Sequence, residues 1–271
     1  MNSATTYGNT SMKLKDKVVI ITGGAKGIGF GCASVFDRHG ATVVILDKDE
    51  TAGADAAQQL QRGHFRACDV TDHAAMHSVI DSTADTLGQL DCIVNNAGWH
   101  PPAMSIDDTS VEDFDAQVRL NLTSTFMGCK YALPHLRKTR GSIVIIASFA
   151  GELGQPMASA YSATKAGQLG LTRSLASECA ADNVRINAIS PSNVDTPLMR
   201  QWAASLPNPQ SALDAVCDTQ PTGRMASIEE IGEIGAFLAS DEASFITGQS
   251  ILADLGASLA YGVKRIERAA T

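Results

Sequence analysis

The sequence predicts a single α/β domain, a doubly wound, seven-stranded parallel sheet flanked by helices. Short apolar runs, which suit strands covered on both faces, alternate with helical segments along the 271 residues. Strands that alternate with helices are joined by right-handed crossovers and therefore lie parallel in one sheet. The chain is 44% hydrophobic and 18% charged, which is enough for one large core, and no shift in composition divides it.

Seven segments of the chain carry the strand pattern. They are residues 17–22, 42–47, 64–68, 91–95, 142–147, 184–189 and 250–253, and Pro191 is expected to stop the sixth. Helices are expected between them, at about residues 23–39, 50–61, 71–87, 111–138, 157–181 and 227–240. Thr71 or Asp72 is the predicted cap of the third helix, and Ser227 with Glu230 fits a capping box.

Two segments of the chain depart from these patterns. The start of the chain is polar and has no signal-peptide architecture, so residues 1–14 are predicted to be a flexible tail before a catalytic domain at 15–271. Residues 195–222 carry four prolines, and we expect an irregular, mobile lid there.

Charge and composition exclude several classes of partner. The net charge of −8 and the isoelectric point near 5.2 argue against nucleic acid, as does the scarcity of aromatic residues. No window of 18 apolar residues exists to span a membrane. The six cysteines lack C-x-x-C spacing, and most lie in apolar runs, which indicates buried thiols in a reducing compartment rather than disulfides or a metal site.

A glycine-rich turn joins the first strand to the first helix. Gly23, Gly27 and Gly29 stand where a dinucleotide pyrophosphate needs close backbone approach and the free N–H groups of a helix N-terminus. The need for positive φ alone also explains glycines in such a turn. Together with Lys26 and Ile28, they form the predicted cofactor-binding turn of a Rossmann-type domain.

An acidic residue, Asp47, ends the second strand roughly 20 residues after the glycines, which is where an acid meets the adenosine ribose. Its carboxylate would accept hydrogen bonds from the ribose hydroxyls and repel a 2′-phosphate that carries about −2 charge. Asp47 therefore predicts NAD rather than NADP as the cofactor. The alternative is that Asp47 merely opens a turn with Lys48 and Asp49.

Further cofactor contacts are expected at the ends of the next two strands, where open α/β sheets bind ligands. Asp69 is a candidate acceptor for the adenine amino group, with Val70 packed beside the ring, but it is equally suited to capping the following helix. Asn95, Ala97 and Gly98 end the fourth strand with small residues that leave room for the adenosine ribose.

A proton-transfer group is predicted between residues 148 and 165. Tyr161 and Lys165 are four residues apart and therefore share one face of a helix. An ammonium within about 4 to 5 Å favours the phenolate by roughly 3 to 4 kcal/mol, which would make the phenol a base near neutral pH. Ser148 follows a strand and is a candidate ligand for the substrate oxygen. For the Tyr–Lys pair alone, a surface tyrosine beside a helical lysine is the alternative.

Together, these motifs resemble the short-chain dehydrogenase/reductase family, from about residue 15 to 260. The matching segments are residues 22–29, 95–98, 121, 148, 161–165 and 191–196. The resemblance implies that Tyr161 is the acid/base, that Lys165 is its electrostatic partner and ribose anchor, and that Ser148 binds the substrate oxygen.

The same resemblance extends to residues whose own pattern is less informative. It implies that Asn121, which otherwise disfavours the helix around it, helps to hold a water that links Lys165 to solvent. It also implies that the segment after the sixth strand holds the nicotinamide, Pro191 by contact with the ring and Val194 and Thr196 by bonds to the carboxamide.

Several stretches are especially similar to the type 14 17β-hydroxysteroid dehydrogenases within this family. They are residues 47–50, 95–102, 132–138 and 261–264. The similarity implies NAD, a cytoplasmic location and a homotetramer, in which the long helices at about 111–138 and 157–181 would pair with their copies. Packing on the sheet explains the apolar stripes of these helices equally well. A steroid substrate does not follow, because relatives of that group include dehydrogenases of sugars and other secondary alcohols.

Two positions depart from the family pattern. Ser192 follows Pro191 where glycine is usual, which affects the expected backbone path over the nicotinamide. Leu255 replaces the first glycine of the usual Asp-Gly-Gly, so the turn after the last strand is expected to differ.

Three polar or aromatic side chains are candidates for substrate contact. Trp99 would offer a wall for a ring, and His100 and Gln155 would offer hydrogen bonds to a polar substrate. The alternative for Trp99 and His100 is that both pack their loop against Pro101 and Pro102.

The favoured hypothesis is an NAD-dependent oxidoreductase that interconverts a secondary alcohol, such as a steroid, a sugar or another small alcohol, and a ketone. An NADPH-dependent ketone reductase is one alternative, and Asp47 argues against it. A nucleotide-binding regulatory protein without turnover is the other, and it would have no need for all four of Asn121, Ser148, Tyr161 and Lys165.

Overall fold

The computed structural model describes residues 12–259 and contains one seven-stranded parallel sheet. Its strands are β1 (Val18–Thr22), β2 (Thr42–Asp47), β3 (Gly63–Ala67), β4 (Cys92–Asn95), β5 (Ser142–Ile146), β6 (Arg185–Pro191) and β7 (Ser250–Ala253). They lie in the order β3-β2-β1-β4-β5-β6-β7, and every neighbouring pair is parallel. The strand order therefore reverses between β1 and β4, and the predicted doubly wound fold is confirmed.

Helices connect the strands on both faces of the sheet. They are α1 (Gly27–Arg38), α2 (Glu50–Gln58), α3 (His73–Leu87), α4 (Val111–Gln117), α5 (Ser124–Thr139), α6 (Phe149–Leu153), α7 (Ser159–Glu178), α8 (Pro197–Ala204), α9 (Pro209–Asp218) and α10 (Ile228–Ala239). Asp72 caps α3, since its carboxylate accepts from two backbone N–H groups of the first turn. The predicted capping box of Ser227 and Glu230 begins α10.

Alternate residues of each central strand face opposite layers of the core. In β1, Val19 and Ile21 pack in the layer that contains Phe36 of α1, whereas Ile20 packs in the layer that contains Ile80 of α3. All of these side chains are fully buried. Burial on both faces explains why the central strands read as unbroken apolar runs.

The segment 195–222 is more regular than expected. Pro197 and Pro209 do not break it. Each lies in the first turn of a helix, α8 or α9, where a backbone N–H has no partner within the helix and proline therefore loses no hydrogen bond. The expectation of irregular structure is therefore wrong, because these prolines act as helix starts. The mobility of this lid segment stays a prediction.

Two further boundaries differ from those predicted from the sequence, the end of the tail and the end of β6. Leu14, assigned to the tail, is fully buried in the core, because its side chain packs with the layer under α1. Pro191 does not lie beyond β6 but forms its last residue and pairs with Ala253 of β7. Tail residues 1–11 and the segment 261–264, part of the similarity to the type 14 enzymes, lie outside the described residues.

Of the two departures from the family pattern, only one requires a rare backbone conformation. Ser192 does not adopt a positive φ and needs no glycine, and its N–H donates to the Ala253 carbonyl at 3.1 Å. Leu255 has a φ of +51°, in the left-handed region that disfavours a side chain.

Replacing Leu255 with glycine is expected to raise the free energy of unfolding by up to about 1 kcal/mol. Relief of the left-handed conformation outweighs the extra entropy that glycine loses on folding. Urea unfolding measures the change, and Ala257→Gly in the same turn, at an ordinary φ, is the matched control. A loss of stability in Leu255→Gly as large as in the control would contradict this account of the turn.

Among residues 12–259, no helix has the length and apolar character that crossing a membrane demands.

Candidate active site

A cleft of about 1000 Å³ opens at the carboxyl ends of the strands. It runs from Asp47, the last residue of β2, and Asp69, just after β3, to α7, which follows β5. The predicted site residues that line it are Gly23, Lys26, Gly27, Ile28, Asp47, Asp69, Val70, Ala97, Gly98, Trp99, His100, Tyr161, Lys165 and Thr196. The predicted site residues that do not line it are Gly29, Asn95, Asn121, Ser148, Gln155, Pro191 and Val194.

The three glycines of the first turn serve different purposes. Gly23 and Gly27 have φ values of +62° and +56°, which favour glycine. Gly29 is required by packing, since a Cβ there would lie 2.1 Å from the carbonyl oxygen of Gly23. A Cβ on Gly27 would meet nothing nearer than Thr196 at 3.7 Å, so it would project into open cleft. This exposed backbone beside a helix N-terminus fits a dinucleotide pyrophosphate.

Asn96, which was not singled out from the sequence, holds the glycine turn. Its side-chain amide donates to the carbonyls of Thr22 and Gly23, each at 3.0 Å. Its neighbour Asn95 was predicted to face the cofactor, but that side chain is buried and lies 3.5 Å from Cys129 Sγ. Asn95 is the last residue of β4 and faces the core, whereas Asn96 lies beyond the strand and turns towards the end of β1.

Asp47 lies in the cleft and also forms the turn that was its alternative explanation. Its carboxylate accepts from the backbone N–H groups of Ala25 at 3.2 Å and Asp49 at 3.1 Å. Lys26, from the glycine turn, lies across the same region, and its ammonium is 2.7 Å from the Asp49 carboxylate. The turn is therefore formed, and the contact between Asp47 and a ribose stays a prediction that its position in the cleft allows.

Asp69, at the same end of the cleft as Asp47, does not cap the following helix. Its carboxylate accepts from both the N–H and the hydroxyl of Thr71 at 2.8 Å, and these bonds lower the pKa of Asp69. Asp72 is the cap of α3, so the alternative role for Asp69 is wrong. Val70, which is largely buried, lines the cleft beside it.

Of the three residues assigned to the nicotinamide, only Thr196 reaches the cleft. It also caps α8 by accepting from the Met199 N–H at 3.2 Å. Pro191 is held in β6, and Val194 is buried and pairs with Ala226. Neither Pro191 nor Val194 lines the cleft, and their contacts with a nicotinamide stay predictions.

Tyr161, Lys165 and Ser148 meet at the α7 end of the cleft. The Lys165 ammonium lies 5.7 Å from the centroid of the Tyr161 ring and donates to the carbonyl of Ile146 at 2.8 Å. Ser148 is the residue before α6; its hydroxyl caps that helix at 3.1 Å and hydrogen-bonds with the Tyr161 phenol. The structure thus brings together the three residues that the sequence placed 17 positions or less apart.

Burial dominates the electrostatics of this group. It raises the pKa of Tyr161 above its usual 10.0, and the hydrogen bond with Ser148 offsets this only in part. Burial also lowers the pKa of Lys165 from 10.5 to about 7. The expectation that Lys165 makes the phenol acidic is therefore not supported, because both groups lose more solvation than they gain from each other.

Asn121 anchors the loop after β4 from within the helical stretch between α4 and α5. Residues Val118–Thr123 form a π-helical turn there, and Asn121 is fully buried in it. Its side-chain oxygen accepts from the Trp99 N–H at 2.9 Å, and its amide donates to the Trp99 carbonyl at 3.1 Å. The unfavourable helical position of Asn121 is thus explained by a loop contact.

His100 packs directly on Tyr161, with ring centroids 4.3 Å apart. Its Nδ1 lies 2.6 Å from the carbonyl oxygen of Pro101, within hydrogen-bond distance. Its Nε2 lies 3.2 Å from the side-chain oxygen of Gln155. His100 therefore both packs against its own loop and lies beside the Tyr161 phenol. Trp99 is about half exposed.

A short helix, α6, was not expected from the sequence, and it supports the site. A Cβ on Gly151 would come within 2.7 Å of the Lys165 backbone, so glycine permits α6 to press against α7. Glu152 accepts from the hydroxyls of Ser190 and Ser250 at 3.0 and 2.5 Å, which ties α6 to β6 and β7.

Comparison with known proteins agrees with this geometry. A family model described as enoyl-(acyl carrier protein) reductase matches residues 23–258. L-fucose dehydrogenase of Bos taurus is 44% identical over 248 residues, 92% of this chain and of the relative. Meso-2,3-butanediol dehydrogenase of Serratia marcescens is 38% identical over 257 residues, 94% of this chain and 100% of the relative.

A solved structure shares the same architecture. The ligand-free aldohexose dehydrogenase of Thermoplasma acidophilum has a TM-score of 0.87 and 32% identity, and the match covers 95% of this chain and 100% of that one. Dehydrogenases of this kind use a nicotinamide cofactor. The chain therefore belongs to the short-chain dehydrogenase/reductase family and is an oxidoreductase of the alcohol dehydrogenase type.

Proposed function

We propose that the protein is an NAD-dependent dehydrogenase that oxidises a secondary alcohol of a small polyhydroxylated substrate, a sugar or a diol, with Tyr161 as the acid/base. The observation that carries the proposal is the position of Tyr161 in the cleft, bonded to Ser148, packed on His100 and next to the buried Lys165.

The mechanism assigns each side chain of this cluster one task. A bound nicotinamide would supply the acceptor for the hydride that leaves the carbinol carbon. Tyr161 receives the hydroxyl proton, and the Ser148 hydroxyl orients the carbinol oxygen beside it. Because burial raises the pKa of Tyr161, the phenol is protonated at neutral pH and must first lose its proton. Alcohol oxidation is therefore favoured by alkaline pH, and carbonyl reduction by neutral pH.

Residues around this cluster hold the reactants in place. The lysine side chain, held at the Ile146 carbonyl, is the proposed anchor for the nicotinamide ribose. Asn121 fixes the loop that carries His100 through its two bonds to Trp99. It would also help to hold a water near Lys165.

NAD rather than NADP is supported by the carboxylate of Asp47 at the ribose end of the cleft. Each carboxylate oxygen of Asp47 already accepts a hydrogen bond from one backbone N–H, and each could accept another from a ribose hydroxyl. A 2′-phosphate of about −2 charge would be repelled at this position.

A polar substrate is supported by the pair His100 and Gln155. Both are hydrogen-bonding side chains, they lie within 3.2 Å of each other, and the His100 ring touches the phenol. The relatives are named for L-fucose, butanediol and aldohexose, which carry several hydroxyls. The narrower similarity to the type 14 17β-hydroxysteroid dehydrogenases stays a prediction and adds no steroid to this proposal.

Replacing Gln155 with alanine is expected to raise KM for L-fucose about tenfold and to change kcat little. The lost hydrogen bond to a hydroxyl is worth roughly 1–2 kcal/mol, and it does not act on the reacting proton. Initial rates of NAD reduction measure both constants. Gln59→Ala, at the exposed residue that follows α2, is the matched control. Cyclohexanol is the control substrate without further hydroxyls. Equal losses with L-fucose and cyclohexanol would argue against this role.

The compartment and assembly remain proposals. All six cysteines are free, and five of them are buried, which supports the reducing cytoplasm. An apolar groove between α5 and α7, lined by the exposed Phe126 with Leu122 and Leu171, supports pairing of these helices between copies. Light scattering of the purified protein is expected to give about four times the 28.4 kDa chain mass, and a monomer mass would rule the tetramer out.

A further inference from the structure

We propose that Asp49 is a second determinant of cofactor preference, because it holds Lys26 in an ion pair at the ribose end of the cleft. The inference rests on the proposed dinucleotide site and names a residue outside the contacts assigned to the cofactor. Asp47 would then exclude a 2′-phosphate by repulsion, and Asp49 would exclude it by pairing with Lys26, a cation that lines the cleft.

The ion pair bridges the first two strand ends. Lys26 lies immediately before α1, and Asp49 lies immediately before α2. The Lys26 ammonium is 2.7 Å from the Asp49 carboxylate, although both side chains are substantially exposed to solvent. The pair therefore spans the side of the cleft where Asp47 stands.

The charge of Asp47 adds to that of the ion pair between Lys26 and Asp49. Lys26 and Asp47 both line the cleft, and Asp47 acts electrostatically on Lys26, although Asp49 has the larger effect on its pKa. The three side chains sum to one negative charge. Loss of Asp47 alone leaves a neutral ion pair, whereas loss of both carboxylates leaves an ammonium free to bind a phosphate that carries about −2 charge.

A second cation, Lys48, lines the same part of the cleft and must be distinguished from Lys26. The pKa of Asp69 is lowered by hydrogen bonds from Thr71 and, to a smaller extent, by Lys48. Lys48 therefore acts towards the end of β3, whereas Lys26 acts towards α2. Only the availability of Lys26 depends on Asp49.

Serine is the suitable replacement for both carboxylates. Asp49 caps α2 by accepting from the Ala52 N–H at 3.0 Å, and serine is also a good helix cap. The substitution therefore removes the charge and keeps α2 in place. Circular dichroism and thermal unfolding of each variant verify that the fold is retained.

The test is calorimetric binding of NAD and NADP to the intact protein, without turnover. In the Asp47→Ser background, adding Asp49→Ser is expected to tighten NADP binding about tenfold at low ionic strength, because the free ammonium forms a charge-assisted hydrogen bond. Adding Lys26→Met should abolish that gain, whereas adding Lys48→Met should leave it.

The outcomes separate this inference from the proposed function. If NAD fails to bind the unaltered protein, the proposed dinucleotide site and this inference both fall. If NAD binds, but Asp49→Ser leaves NADP affinity unchanged, the inference alone is wrong. It is also wrong if the gain survives Lys26→Met or disappears with Lys48→Met.

Discussion

Replacing Tyr161 with phenylalanine is expected to lower kcat for alcohol oxidation by roughly 10³-fold while nucleotide affinity stays within a few-fold. The variant loses the proposed acid/base, which hydrogen-bonds with Ser148, and acid–base catalysis is typically worth 10²–10⁴-fold. The phenylalanine ring retains the packing against His100, so the cleft keeps its shape.

The measurement pairs NAD reduction with calorimetric NAD binding, and it is repeated between pH 6 and pH 10. The unaltered protein should oxidise faster as pH rises, because the pKa of the phenol lies above 10.0, whereas residual turnover of Tyr161→Phe should lack this rise. Tyr131→Phe is the matched control, because that ring stacks on His77 outside the cleft. Undiminished turnover in Tyr161→Phe would exclude it as the acid/base.

Replacing Lys165 with methionine is expected to abolish most turnover and yet to stabilise the protein by about 1–3 kcal/mol below pH 7. The lysine is almost fully buried, and burial lowers its pKa from 10.5 to about 7. A shift of this size corresponds to roughly 5 kcal/mol of cost for the charged form, and loss of the bond to the Ile146 carbonyl offsets part of the gain.

The sign of the pH dependence follows from proton binding. Between about pH 7 and 10.5, the unfolded chain holds the Lys165 proton and the folded chain does not, so the stability of the unaltered protein rises with pH. The raised pKa of Tyr161 acts in the opposite direction, but only above pH 10. The advantage of Lys165→Met should therefore be largest below pH 7 and shrink towards pH 10.

Urea unfolding of the purified protein at pH 6 and pH 9 measures this difference. Lys138→Met, an exposed position in the last turn of α5, is the matched control and should show little change between the two pH values. An advantage of Lys165→Met that is the same at both pH values would contradict a buried, weakly basic lysine.

The sheet was readable from the sequence because its central strands are buried on both faces. The bounds of β2 and β7 were predicted to the residue, and the other strands to within about two. The lid helices were missed because a proline has opposite meanings inside a helix and at its first position. The π-helical turn around Asn121 was missed because it depends on a contact with the distant Trp99 loop.

The geometry of the candidate site was predictable where one local sequence pattern determines it. Tyr161 and Lys165 meet because α7 places them on one face. The choice between Asn95 and Asn96 depends on how the chain leaves β4, and no composition rule fixes that turn. The pKa values also escaped prediction, because Coulomb attraction is evident from spacing, whereas burial of Tyr161 and Lys165 follows only from the packed fold.

The most direct test is a crystal structure of the Tyr161→Phe variant with NAD and L-fucose, in which slow turnover preserves the complex. We expect the dinucleotide to lie along the glycine turn with its ribose at Asp47. A carbinol oxygen of the sugar should lie within about 3.2 Å of the Ser148 hydroxyl, next to the ring at position 161. A nucleotide bound elsewhere, or a sugar whose hydroxyls all lie far from that ring, would contradict the account.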